Sequence, residues 1–341
     1  MSDEQWVDIV SSLDDAVRRV EGHGFTQTPV IEATALAEAA GVDVDLWIKA
    51  EPHNVGGSHK ARHLMGVAIA MLVDEALGAP KAERLAIASC GNAAMGAGVI
   101  ASAMQRPLDV FVPTWADATV VSTLTELGSN VTPSERREGE AGDPAYLRFR
   151  EAVESGARAF SVQGTDTPTT FDGGRTLGWE LADQLTEVDS LYIQVGGGAL
   201  STAVSMAYTE PRLHPVQAEG CAPLRRAWDL LAPGFDFDSA EQNPDDYMWP
   251  WDDPSSFATG ILDDITYDWL PHATGGEPIV SPESNIVKAY EFAHAYTDIP
   301  VCSTGAAGLA GLMTNPPPRT STGFKERVVL LFTGIDRSGH R

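Results

Sequence analysis

From about residue 85 onward the chain repeats one pattern, a short β-rich apolar run followed by a helix-like segment. "LAIAS" precedes "NAAMGAGVIASAM", "LDVFVP" precedes "ADATVVSTLTELG", "RAFSV" leads to "GGRTLGWELADQL", and "SLYIQV" leads to "GALSTAVSMAY". Strands this apolar need cover on both faces, and intervening helices supply it. The pattern therefore predicts an α/β protein built on open parallel sheets, not a sandwich or a bundle. Ligands in such sheets bind beyond the carboxyl ends of the strands. The residues that directly follow each strand carry the functional reading.

The chain has 341 residues, enough for two lobes with separate cores. Its 23 lysines and arginines stand against 48 aspartates and glutamates, a net charge of -25. Such a surface repels phosphate backbones and anionic lipid, which argues against nucleic acid and membranes as partners. No apolar run approaches the roughly 20 residues of a membrane span. The start "MSDEQWVDIV" lacks the basic and apolar blocks of a signal peptide, so a cytoplasmic location is the default expectation. Cys90, Cys221 and Cys302 are odd in number and widely spaced. They form neither a zinc pattern nor a disulfide framework, and we read them as reduced and mostly structural, with no metal site expected.

Four places combine small or polar residues with the end of a strand or the start of a helix. In "VGGSHKARHL", Lys60 sits between a glycine-serine turn and a run with Leu64, Val67, Met71 and Leu72 at helical spacing. A cation at a helix start opposes the helix dipole, so local structure gives no stabilising reason for it. A nucleophilic amine that forms a Schiff base has one, because its ammonium must be destabilised. "SCGNAAMGAG" follows the strand at Leu85 and offers Ser89, Gly91, Asn92 and Ala93 at a helix start, suited to an anion or to a plain turn capped by Asn92. "VGGGALS" places Gly196, Gly197, Gly198 and Ala199 where backbone N–H groups can close on a phosphate. Ser201 breaks the dinucleotide spacing, and there is no Walker lysine. Finally, "LLFTGIDR" ends a buried strand at Thr333, a hydroxyl that can satisfy itself locally or face a ring nitrogen. A nucleophilic lysine, a phosphate cradle, a polar loop and a neutral hydroxyl are the parts that pyridoxal phosphate requires.

With these motifs in this order, the sequence resembles the fold type II pyridoxal-phosphate enzymes, the tryptophan-synthase β-like superfamily that includes serine/threonine dehydratases and threonine synthases. The likeness runs from "TQTPVIEATALAEAAG" through "GGSHKAR", "SCGNAAMGAG", "DGGRTLGWELADQL", "VGGGAL", "VQAEGC" and "STGAAGLAGL" to "FTGIDR". It implies that Lys60 carries pyridoxal 5'-phosphate as a Schiff base. Asn92 would bond the cofactor's phenolic oxygen, and Ser89, Gly91, Asn92 and Ala93 would receive the substrate carboxylate. Gly196, Gly197, Gly198 and Ala199 would bind the cofactor phosphate, Thr333 would face the pyridine nitrogen, and Arg175 of "DGGRT" would contribute to substrate binding. It also implies a large cofactor-binding lobe of residues 1–81 and 161–341, a small mobile lobe of 82–160, a cofactor in the cleft between them, and a homodimer.

The implied reaction is β-elimination from a β-substituted amino acid by an ammonia-lyase or dehydratase, through the Lys60 aldimine and an aminoacrylate. "VGGGAL" resembles the dehydratases, whereas "DGGRT" and "FTG" resemble threonine synthase. Phosphate elimination with β-addition of water is therefore the alternative, and a catalytically silent cofactor-binding protein is a third. Two departures stand out. His59 replaces the usual aromatic residue before the lysine, and "CSTGAAGLAGL" lacks the acidic residue common before that helix. The acidic, aromatic stretch between Pro233 and Pro254 reads as an irregular excursion or site cover. "GILDDITYDWLPHATGG" matches no recognisable pocket.

Overall fold

The computed structural model describes residues 1–231, 234, 237–269, 275–318 and 324–337. Parts of both stretches left open above, Pro233, Phe235 and Asp236 in one and 270–274 in the other, lie outside them. The chain divides into two compact units, one of Met1–Gln27 with Asn54–Gly174 and one of Thr28–His53 with Arg175–Arg341.

Among the described residues ten strands form two sheets: β1 (Val30–Glu32), β2 (Asp45–Ala50), β3 (Leu85–Ala88), β4 (Leu108–Pro113), β5 (Asn130–Ser134), β6 (Arg158–Ala159), β7 (Ser190–Gln194), β8 (Arg212–Ala218), β9 (Ile279–Ser281) and β10 (Arg327–Phe332). The α-helices among the described residues are α1 (Asp3–Glu21), α2 (Thr34–Ala40), α3 (Lys60–Ala76), α4 (Asn92–Ala103), α5 (Ala118–Glu126), α6 (Pro144–Glu154), α7 (Thr170–Gln184), α8 (Ala199–Ala207), α9 (Pro223–Leu231), α10 (Phe237–Gln242), α11 (Glu283–Tyr296) and α12 (Ser303–Thr314).

The first unit carries the sheet β5-β4-β3-β6, parallel throughout. This sheet falls within the span expected for a small lobe, residues 82–160, but the unit is wider. The reason is apolar: Leu13 and Val17 of α1, Leu64 and Met71 of α3, and Ala97 and Ile100 of α4 share one buried cluster with Val110 of β4. Burial of α4 is complete from Ala93 to Ala101, which is why "NAAMGAGVIASA" reads as apolar on every face.

In the second unit the order is β1-β2-β10-β7-β8-β9. All neighbours pair in parallel except β1, which runs antiparallel to β2 at the edge. One core joins Leu46 and Ile48 of β2, Leu330 and Phe332 of β10, and Ala306 and Leu309 of α12. A second joins Leu191 and Ile193 of β7, Val204 of α8 and Leu331. The open parallel α/β architecture expected from the sequence is thus found in both units.

A buried ionic network lies in the second unit. Lys49 is fully buried, and its ammonium donates to Glu180 Oε2 at 2.7 Å, to Gln184 Oε1 at 2.7 Å and to the Thr28 carbonyl at 2.9 Å. The Thr28 hydroxyl donates to Glu51, itself fully buried, at 2.6 Å. Thr28 and Glu51 lie beside the two points where the chain crosses between units, so the network pins both ends of the Thr28–His53 excursion to α7. Removing one partner leaves the others as uncompensated buried charge. Lys49→Met is expected to lower stability by about 3 kcal/mol or more, read as a shift of the urea midpoint. An unchanged midpoint would contradict this role.

Candidate active site

Lys60 is the first residue of α3. The chain reaches it through a tight turn in which the Asn54 side chain accepts from the Val55 N–H at 2.8 Å, and Gly56 and Gly57 take left-handed φ of +62° and +67°. Ser58 is fully buried, and its hydroxyl has no hydrogen-bond partner. An orphaned buried hydroxyl two residues from the lysine marks a polar position that a ligand can complete.

The seat of α3 is a close backbone approach. A Cβ at Gly173 would collide with the Arg62 carbonyl, and one at Gly66 would stand 2.5 Å from the Gly173 nitrogen. The glycine pair of "DGGRT" therefore serves, at Gly173, to let the start of α7 lie directly on α3. His63 ties the same contact, its Nδ1 lying 3.0 Å from the Thr170 carbonyl. A carbonyl only accepts, so Nδ1 carries the proton. Complete burial, helped by the charges of Lys60 and Arg62, lowers the His63 pKa from 6.5 to about 3. The imidazole next to the lysine's helix turn thus stays neutral. Its ring meets that of His59 edge-on, with centroids 5.7 Å apart.

Ser89, Gly91, Asn92 and Ala93 stand between the end of β3 and the start of α4. Gly91 occupies the N-cap position with no side-chain cap bond, so Asn92 is not the cap and opens the helix itself. The Ser89 hydroxyl accepts from the Gly91 N–H at 3.4 Å. The structure brings this loop towards the Lys60 turn, because a Cβ at Gly96 would lie 3.3 Å from the Ala61 Cα.

In the second unit the glycine loop follows β7 and opens α8, whose first N–H groups have no partner within the helix. Gly198 has φ of +99°, and a Cβ there would stand 2.6 Å from the Asp268 carbonyl oxygen. One at Gly197 would stand 3.2 Å from the Tyr267 ring, and one at Gly196 would collide with the Asp263 carboxylate. The backbone contact and left-handed φ at Gly198 exclude a side chain there, and what the loop presents is backbone N–H. Thr333, 3% exposed, follows the adjacent strand β10. Its hydroxyl accepts from Gln194 Nε2 at 2.5 Å, and the Gln194 amide also donates to the Gly305 and Leu331 carbonyls, each at 3.2 Å. Those two carbonyls fix which end of the amide is nitrogen. The Thr333 proton is consequently not spent on Gln194. A phosphate-bearing aromatic cofactor fits this donor set.

Arg175 lies apart from that loop. Its guanidinium contacts Met206 Sδ at 3.8 Å, near the far end of α8, ~10 Å along the helix from Ala199. The sequence carries no separate signal for Ser58 and His63, which lie inside "VGGSHKARHL", for Gln194 within a strand, or for the Asp263–Asp268 part of "GILDDITYDWLPHATGG". Burial raises the pKa of Cys90, Cys221 and Cys302 alike, so none of the three thiols is an activated nucleophile.

The pyridoxal-phosphate dependent enzyme family matches residues 22–334, and the chain belongs to that family. Its cofactor is pyridoxal phosphate. The chain is 28% identical to an L-threonine ammonia-lyase of Thermotoga maritima over 184 residues, which are 53% of this chain and 42% of that enzyme. It is 23% identical to a serine racemase of Oryza sativa subsp. indica over 313 residues, covering 90% of this chain and 84% of the relative. The structure of maize serine racemase superposes with a TM-score of 0.71 at 20% identity, covering 96% of this chain and 94% of that one. The processed form of threonine deaminase isoform 2 from Solanum lycopersicum superposes with a TM-score of 0.72 at 18% identity, covering 99% and 92%. The fold is therefore that of the fold type II enzymes. Among the described residues no helix is long and apolar enough to cross a membrane.

The His63 environment has a pH consequence. Its folded pKa lies below the unfolded value, so between pH 6.5 and about 3 the unfolded chain binds the extra proton. Stability attributable to this group is intact above pH 6.5 and is lost as pH falls, with a slope approaching ~1.4 kcal/mol per pH unit. Urea titrations of wild type and His63→Gln at pH 7 and pH 5 should show a smaller acid loss in the variant. Equal losses would contradict the assignment.

Proposed function

We propose that the chain is a pyridoxal-phosphate-dependent lyase that eliminates the β-substituent of a hydroxylated or otherwise β-substituted amino acid, releasing a 2-oxo acid and ammonia. The observation that carries this is the Thr333–Gln194 pair. A hydroxyl that accepts from an amide keeps its own proton to donate, and a neutral donor facing a pyridine nitrogen does not force that nitrogen to take a proton. An unprotonated ring suits elimination through a less delocalised carbanion. The bound cofactor supplies the electron sink.

The chain's own residues divide the remaining work. Gly196, Gly197, Gly198 and Ala199 hold the phosphate with backbone N–H groups at the α8 start. Ser89, Gly91, Asn92 and Ala93 receive the substrate carboxylate at the α4 start, and Asn92 also reaches the cofactor's phenolic oxygen. Lys60 would hold the cofactor through its Nζ and would take the substrate's α-proton there. The neutral His63 adds no positive charge beside it. Arg175, whose guanidinium contacts Met206 of α8, contributes to substrate binding. A homodimer in the cytoplasm, with a small lobe that closes on substrate, completes the proposal.

The test is to incubate the cofactor-loaded protein separately with L-serine, L-threonine and O-phospho-L-homoserine, following 2-oxo acid, ammonia and inorganic phosphate. The proposal expects 2-oxo acid and ammonia in equal amounts from a hydroxy amino acid, and a loss of at least ~100-fold in Lys60→Ala. Phosphate release from O-phospho-L-homoserine alone would favour threonine-synthase chemistry, in line with the 24% identity to a threonine synthase of Methanosarcina acetivorans. No turnover of any amino acid by the loaded protein would overturn both.

A further inference from the structure

The segment from Ala258 to Trp269 belongs to no recognisable motif, yet it walls the glycine loop. Four hydrogen bonds fix it there. The Asp268 N–H donates to the Gly197 carbonyl at 3.0 Å, and the Thr202 hydroxyl of α8 donates to the Asp268 carbonyl at 3.0 Å. The Cys221 thiol donates to the Asp263 carbonyl at 3.3 Å, and the Trp251 N–H donates to the Asp264 carbonyl at 2.8 Å. Ile261, Thr266 and Trp269 are buried, Thr266 completely. The backbone on both sides of Asp263 is thereby anchored, and its side chain is aimed at the loop. Oδ2 lies where a Gly196 Cβ would be and 3.8 Å from the corresponding position at Gly197. The charge is felt nearby: burial first, then Asp263 and Asp264, push the Cys221 thiol up to about 12, with Arg226 opposing.

A fixed carboxylate is an unexpected wall for a phosphate cradle. A phosphate monoester loses its second proton near pH 6, so in water at pH 8 it is a dianion. The loop's N–H groups favour that dianion, whereas a carboxylate within a few ångströms opposes its second charge. Two like-charged acids that share a site resolve the conflict by keeping one proton between them. The phosphate then donates its remaining O–H to the carboxylate, a charge-assisted hydrogen bond.

We propose that Asp263 is a further phosphate-binding residue of this chain, accepting a hydrogen bond from a singly protonated cofactor phosphate held in the Gly196–Ala199 loop. This rests on the reading of that loop as the phosphate site. No bond of the cofactor is made or broken. One proton, which the free ester has already released at pH 8, is taken up from solvent on binding and shared with Asp263 Oδ2.

Phosphorus-31 NMR of the pyridoxal-phosphate holoenzyme at pH 8 reads the protonation state directly, independently of turnover. Wild type is expected to give a bound resonance at the monoanion position, and Asp263→Asn, nearly isosteric, a resonance at the dianion position. The variant should also bind pyridoxal phosphate about tenfold more tightly at pH 8, since it no longer raises the phosphate pKa. A wild-type resonance at the dianion position would overturn the proposal even if the variant did not load or fold. The same position in both proteins would overturn it equally. The absence of any bound phosphorus resonance in the wild type, with no visible absorption band, would instead overturn the cofactor site on which the proposal rests.

Discussion

In the second unit, the glycine loop and Thr333 depend on two parallel strands ending side by side. β7 and β10 pair through Val328 with Ser190, Val329 with Leu191 and Leu330 with Tyr192. From that register the chain leaves β7 at Gln194 and β10 at Phe332, and one amide, Gln194, spans the gap to Thr333. Gln194 is 6% exposed, and its orphaned Oε1 shows that this amide is held for its donors and not for a balanced set of bonds. Continued from that register, Phe332 stands opposite Gln194 on the same face, and a slip of one residue would turn the two to opposite faces and move the glycine loop away from Thr333.

The first unit solves a different problem, how to hold an amine at a helix start. The dipole there works against an ammonium, whereas an anionic or hydrated neighbour would steady it. The chain provides instead a neutral imidazole at His63, a buried Ser58 hydroxyl and two helix segments in backbone contact through Gly66 and Gly173. None of these groups is an anion that would stabilise an ammonium at the lysine's turn. In the proposed mechanism that is how Lys60 keeps a reactive Nζ.

The sequence was informative wherever function needs backbone. Lys60 at a helix start, the Gly196–Gly198 turn and Thr333 after a strand are visible because glycine and strand ends have few alternative uses. It was silent where function needs a side chain held by tertiary contacts. Gln194 reads as one more strand residue, Ser58 as part of a turn, and Asp263 as one acid among 48 acidic residues. The segment carrying Asp263 has neither helical nor strand period, so no pattern shows that it folds onto a loop some 65 residues earlier. In "DGGRT" the structure gives Gly173 a backbone reason that the sequence does not show, and it sets the Arg175 guanidinium against Met206 of α8. Asn92 likewise looked like a cap and is the first residue of its helix.

The central claim is that Lys60, and no other lysine, carries the cofactor. Reduction of the pyridoxal-phosphate holoenzyme with borohydride, followed by peptide mass mapping, tests it most directly. The account predicts the phosphopyridoxyl mass on the peptide containing Lys60, at close to one per chain. The same mass on Lys49 or any other lysine, or none after loading, would contradict it.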